Sequence, residues 1–247
     1  MWDRVRRRWR REMAMRFARS TGHVALERPT ISFTFDDFLV SSATTGVATL
    51  ERHGARGTFY TNGATLGGMG ELGAVGDAAL LARVHRAGHE IGCHTHTHLD
   101  LFTVPGQLIE TDLDRNAACL DALLGPARRS FAYPYGRAPL RAKRICARRF
   151  LGARGVASGI NGSELDLALI RAEPLESARD DRPALAARIA QVAREGGWLV
   201  FYAHDVAPEH SLYGVTPQDL DWCVAEARAA GCDIRTVAEV LAEVQAA

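Results

Sequence analysis

The feature that most constrains this chain is an alternation that starts at Thr30 and runs to the C-terminus. Short apolar runs at 31–35, 57–61, 90–93, 130–133, 153–157, 167–173, 198–203 and 233–235 read as strands. Between them, helical patterns fall at 44–53, 77–87, 107–124, 139–150, 183–194, 216–230 and 236–244. The stop signals agree with this division. Gly125-Pro126 closes one helix, and Thr216, Pro217 and Gly231 bracket another. A glycine-rich loop is expected at 63–76 and a polar loop at 158–166. Seven or eight βα units without a composition break predict a single parallel α/β domain. In a parallel barrel, functional side chains collect at the C-terminal ends of the strands, so those positions are the ones to weigh.

Composition sets the bounds. The chain has 247 residues, 47% apolar and 24% charged, enough to bury one full core. A net charge of +1 gives no global attraction for nucleic acid. No GxGxxG follows the first strand and no GxxxxGK[S/T] occurs, which argues against dinucleotide and P-loop chemistry. Five cysteines without a CxxC pair read as reduced core thiols and favour a reducing, cytoplasmic compartment. Nothing approaches membrane-spanning length, and no apolar run follows the basic N-terminus.

Charge is unevenly placed, however. Residues 1–19 hold eight arginines against two acidic residues. Trp2, Val5, Trp9, Met13 and Phe17 recur at spacings of three and four, so a helix is expected over 2–17 with arginine on its other face. Such a helix suits an anionic membrane surface, or a seat on the domain or a partner subunit. Residues 1–22 are therefore read as an arm and 23–247 as the domain.

Four strand ends carry chemistry. His94, His96 and His98 follow the third strand, and neutral imidazole is the commonest protein ligand for zinc-like ions. The same five residues also fit a His-rich polar loop. The first strand ends in Asp36-Asp37. One aspartate there would serve as a helix N-cap, but two adjacent carboxylates call for a cation or a shared proton. The fourth ends in Tyr133-Pro134-Tyr135-Gly136, rigid at the proline and permissive at the glycine. His204 ends the most apolar strand and suits either proton transfer or a satisfied core position.

These motifs in order, Thr34-Phe35-Asp36-Asp37, the 94–98 histidines, Phe131-Ala132-Tyr133-Pro134-Tyr135-Gly136 and His204-Asp205, resemble the NodB-homology polysaccharide deacetylases, carbohydrate esterase family 4. The form of the third motif is similar to a bacterial subgroup. The resemblance implies a distorted (β/α)7 barrel. It also implies a divalent metal, most often zinc, on Asp37, His94 and His98. Asp36 would be the catalytic base, His204 the general acid, and the Tyr135 N–H an oxyanion donor, with His96 in a supporting role.

Two departures stand out. The family's third motif begins with an arginine that holds the catalytic aspartate, and here that position is Ala132. Arg171 is expected to reach Asp36 instead. The family's Asp-Trp segment, which orients the acid histidine, has no counterpart, although Asp166 and Asn161 fall in that region. The expected function is N-deacetylation of an amino sugar in an oligosaccharide, polysaccharide or lipid-linked saccharide. Competing expectations are hydrolysis of another C–N bond (a formyl amide, cyclic imide or ureide) and a catalytically silent glycan-binding module.

Overall fold

A computed structural model describes residues 13–176 and 181–246. The chain runs through β1 (Thr21–His23), β2 (Thr30–Phe35), a π-helical turn (Ser42–Gly46), α1 (Val47–Arg52), β3 (Thr58–Thr61), and a hairpin of β4 (Met69–Gly70) and β5 (Gly73–Ala74). It continues through α2 (Ala78–Arg86), β6 (Glu90–Cys93), α3 (Gly106–Leu124), β7 (Phe131–Ala132), α4 (Leu140–Arg149), β8 (Ala153–Arg154), β9 (Glu164–Asp166) and β10 (Glu173–Pro174). The last elements are α5 (Arg182–Glu195), β11 (Trp198–Ala203), α6 (Pro217–Ala229), β12 (Asp233–Ile234), α7 (Val237–Leu241) and β13 (Gln245–Ala246).

Strand alternation explains the layers. In β2, Ile31, Phe33 and Phe35 pack outward against helix residues Leu50, Leu81, Val192 and Val224. Thr30, Ser32 and Thr34 occupy the opposite, inner face, where the Trp198 indole donates to Ser32 Oγ at 2.9 Å. The neighbouring β11 alternates in phase. Leu199, Phe201 and Ala203 join the outer core, while Trp198 and Val200 belong to a separate inner cluster.

Parallel strands run in the order β10-β11-β2-β3-β6-β7-β8. β12 pairs with the first two residues of β2, and β3 with the last two. Ile170 bridges to Arg154 at one edge, and Glu173 and Pro174 pair with β11 at the other. One segment thus joins both edges, and the sheet curls into a distorted barrel with helices outside. At its lower end, α7 donates the Val237 N–H to Thr58 Oγ1 (3.0 Å) and the Ala238 N–H to Glu90 Oε2 (2.8 Å).

Two expectations change. The strand expected at 167–173 is only a bridge at Ile170 followed by β10, and the loop expected at 158–166 contains β9. β9 exists because it pairs antiparallel with β1, a partner far away in sequence that local pattern cannot reveal. The helix expected over 2–17 lies mostly outside the described residues; within them, 13–16 are helical. The buried Lys143 ammonium anchors that turn by donating to the Ala14 and Phe17 carbonyls and to Asp166 Oδ2 at 2.7 Å.

Candidate active site

Two parallel strands in register place the first pair of groups. The β2–β11 ladder ends at Phe35 beside Ala203, so Asp36 and His204 follow at adjacent strand ends. His204 Nε2 lies 4.0 Å from Asp36 Oδ2. Asp37 is the next residue and turns away, with φ 66°. Its Oδ1 lies 3.7 Å from His94 Nε2 and 3.6 Å from His98 Nε2.

Left-handed backbone marks this region. Among the described residues six non-glycines have positive φ, and five of them are Asp37, Phe38, Thr95, His98 and Tyr135. Such conformations cost energy for a residue with a Cβ, and they persist only where surrounding contacts impose them. For the 94–98 loop and its neighbour at 61–63, those contacts come from α3. Asp112 accepts the His96 N–H at 2.6 Å and the Thr97 hydroxyl at 2.7 Å. Asn116 donates to the Thr61 carbonyl at 3.1 Å and accepts the Gly63 N–H at 2.8 Å. Asp112 and Asn116 share the buried face of α3 with Ile109, Leu113 and Leu120. A polar pair at i, i+4 on a core-facing stripe is a signal that motif reading passes over.

Each ligand candidate has a defined donor. His94 Nδ1 donates to the Ala132 carbonyl at 2.8 Å, which leaves the Nε2 lone pair facing Asp37. Burial pushes the His94 imidazole below its ordinary pKa, against the pull of Asp36 and Asp37, and so favours the neutral, ligating form. The donor atoms of Asp37, His94 and His98 all lie within 4.8 Å of one another. Donors placed ~2.1 Å from one tetrahedral ion would be roughly 3.4 Å apart, close to the separations seen. The set fits a divalent ion. His96 stands outside it, its Nδ1 enclosed and without a hydrogen-bond partner.

Asp36 is buried, and burial alone would raise its pKa. The Arg154 guanidinium on Oδ1 outweighs that and lowers it to about 2, with His94 and His204 adding to the effect. This corrects the expectation for Arg171. Arg171 is exposed, crosses Gly159 and donates to the Ser158 carbonyl at 2.8 Å. Arg154 succeeds because β8 lies beside β7 with Arg154 paired to Ala132. The arginine missing from Ala132 has its counterpart one strand over at the same level. Its guanidinium carbon lies 5.2 Å from each of the Tyr60 and Tyr202 ring centroids. Tyr60 in turn needs Gly92, where a Cβ would come within 2.5 Å of its ring.

Neither residue expected near the missing Asp-Trp segment reaches His204. Asp166 pairs with Lys143, and Asn161 bonds the Arg171 and Trp198 carbonyls. His204 is instead covered by Tyr213, at 5.5 Å between ring centroids. Tyr135 stands on the other side, 4.5 Å from the His98 ring. A groove of about 590 Å³ opens over Asp36, Asp37, His98 and His204, with Ala14 and Met15 on its wall.

Fold and site together define a class: a parallel α/β barrel with a two-histidine, one-carboxylate triad beside an Asp–His pair at its strand ends. Residues 23–154, more than half of the chain, match the family model for polysaccharide deacetylase. The chain belongs to the polysaccharide deacetylase family. It is 28% identical over 106 residues to a chitin deacetylase of Pestalotiopsis sp, covering 43% of this chain and 34% of that one. To a chitin deacetylase of Arthroderma benhamiae it is 30% identical over 110 residues, covering 44% and 27%. The chain thus spans about a third of the length of these relatives. The structure of a chitin deacetylase from Colletotrichum lindemuthianum superposes with a TM-score of 0.61 at 16% identity, over 88% of this chain and 89% of that one, a likeness of fold.

Proposed function

We propose that the protein is a metal-dependent hydrolase that removes the N-acetyl group from an N-acetylated amino sugar. The observation that carries this reading is the convergence of Asp37, His94 and His98 donor atoms next to the Asp36–His204 pair. A metal-binding module alone would not need the second pair. The relatives named as chitin deacetylases support the substrate class.

A divalent ion on the triad, most suitably zinc, supplies Lewis acidity toward the acyl carbonyl and toward water. Asp36 accepts the proton of the water that attacks the acyl carbon. Arg154 keeps that carboxylate ionised throughout the neutral range and fixes its orientation, at the cost of making it a weaker base. The Tyr135 N–H is assigned to the oxyanion. His204 donates a proton to the nitrogen as the C–N bond breaks, giving acetate and a free amine.

Residues 1–12 precede a turn that lies on the groove wall through Ala14 and Met15. Six arginines with Trp2 and Trp9 in that stretch support contact with an anionic membrane, and with it a lipid-linked saccharide as substrate. Five unpaired cysteines support a reducing, cytoplasmic setting.

Elemental analysis combined with acetate release from chitooligosaccharides tests the reading. The wild type is expected to hold about one divalent ion per chain and to release acetate. Asp36→Asn is expected to keep the ion and lose turnover by on the order of 100-fold or more. Absence of both the ion and Asp36-dependent acetate would overturn the proposal; release of formate or ammonia from another amide would redirect it to different C–N bonds.

A further inference from the structure

His204 lacks the usual means of orientation. An acid–base histidine is commonly aimed by a hydrogen bond from its Nδ1–H to a carboxylate or carbonyl. Here Nδ1 is enclosed by protein and has no hydrogen-bond partner. Nothing at that nitrogen opposes rotation of the ring about its Cβ–Cγ bond, a half-turn of which would put carbon Cε1 where Nε2 stands. Yet a proton can pass to a leaving nitrogen only from the atom that faces it.

The constraint comes from the loop that follows β11. Its base is closed by the Val206–Val215 bridge and by the Val215 N–H donating to the Asp205 carbonyl at 2.9 Å. Inside it, the buried Asp205 carboxylate accepts the Ser211 N–H at 2.8 Å and the Ser211 hydroxyl at 2.6 Å. Ser211 Oγ in turn accepts the Tyr213 N–H at 3.1 Å. Gly214 completes the frame, since a Cβ there would lie 2.4 Å from Asp205 Oδ1. The frame delivers two contacts to the histidine. The Tyr213 carbonyl accepts the backbone N–H of His204 at 3.0 Å, and the Tyr213 ring leans over the imidazole at 51°. Tyr213 nevertheless remains 49% exposed on the groove side.

We infer that Tyr213 is a positioning residue for His204. Held by Asp205 and Ser211, it aims Nε2 at the leaving nitrogen by ring contact instead of by a hydrogen bond to Nδ1. This inference rests on the deacetylase reading, because only a reaction with a poor leaving group needs the aimed proton. An amine departs from the tetrahedral intermediate only as nitrogen takes that proton and the C–N bond breaks. A nitrophenolate departs from carbon without one. Tyr213 therefore matters for amides and not for activated aryl esters.

The test compares kcat and KM on a chitooligosaccharide and on p-nitrophenyl acetate for the full chain. Tyr213→Ala is expected to lower kcat on the amide about 2- to 10-fold, the worth of an aromatic contact. Its KM on the amide and its turnover of the ester should stay within about twofold of wild type. Tyr213→Phe keeps the ring and is expected to retain both activities. Asp205→Asn, which loosens the frame without touching the groove, should reproduce the amide-selective loss. A rise in KM with kcat unchanged would make Tyr213 a sugar platform and overturn the inference. Equal losses on amide and ester, or loss in Tyr213→Phe, would also overturn it. A wild type that cleaves the ester but releases no acetate from the amide would fail the deacetylase reading itself, before any variant is compared.

Discussion

Arg154 lies between two aromatic rings with its guanidinium on the Asp36 carboxylate, and both members of the pair are buried. Removing one member of such a pair strands the other charge, at a cost of about 3–5 kcal/mol. Arg154→Ala is thus expected to lose stability in urea titration and to lower kcat by on the order of 100-fold, because Asp36 loses its fixed orientation. Arg154→Lys should fall between, since an ammonium lacks the planar fork. Arg171→Ala should match wild type in both measurements, its contacts being with the 158–161 loop. Adding Ala132→Arg to Arg154→Ala should restore part of the turnover, because the two positions are register partners. No recovery would show that the level of the arginine is not what matters. The triad residues and the Asp36–His204 pair can be named from the chain because each sits in a recognisable motif at a strand end. Arg154 cannot: its strand has two residues, and its relation to Ala132 exists only across the sheet.

Among the elements, α3 does more than cover the barrel. Its Asp112 holds the loop that carries His94 and His98 and its Asn116 holds the neighbouring Gly63 turn, so this helix sets the spacing of the candidate ligands. Asp112→Ala is expected to weaken zinc binding about 10–100-fold in chelator competition, the usual effect of losing a group that orients ligands. Far-ultraviolet circular dichroism should remain that of the wild type. Unchanged affinity would remove α3 from the site. Elements with a strong local pattern are legible directly: 90–93 and 198–203 are strands with those same limits. α3 starts one residue before the expected position because Pro105 takes the N-cap. Short elements are not legible in this way. β9 depends on β1, and β10 on β11, so their existence follows from partners and not from their own residues.

For the whole molecule, the arm and the groove belong together. Lys143 binds the Ala14 and Phe17 carbonyls and ties the start of the described chain to Asp166, so the arm meets the domain at the groove wall. Deleting residues 1–12 leaves these contacts in place. The shortened chain is expected to keep its turnover of soluble oligosaccharide and to lose co-sedimentation with anionic vesicles, which the full chain should show and neutral vesicles should not. Equal co-sedimentation of the two chains would exclude the arm as an anchor. Alternating patterns by themselves determined a single parallel α/β domain, and the motifs at its strand ends, through the family resemblance they carry, a barrel with the candidate site at that end and the residue types gathered there. Periodicity and motif order are local properties, written along the chain. Which arginine holds Asp36, what holds the ligand loop and what leans on His204 were decided only by tertiary structure. Each of those contacts joins strands, helices or loops through register and curl, and register is a relation between segments that no single segment contains.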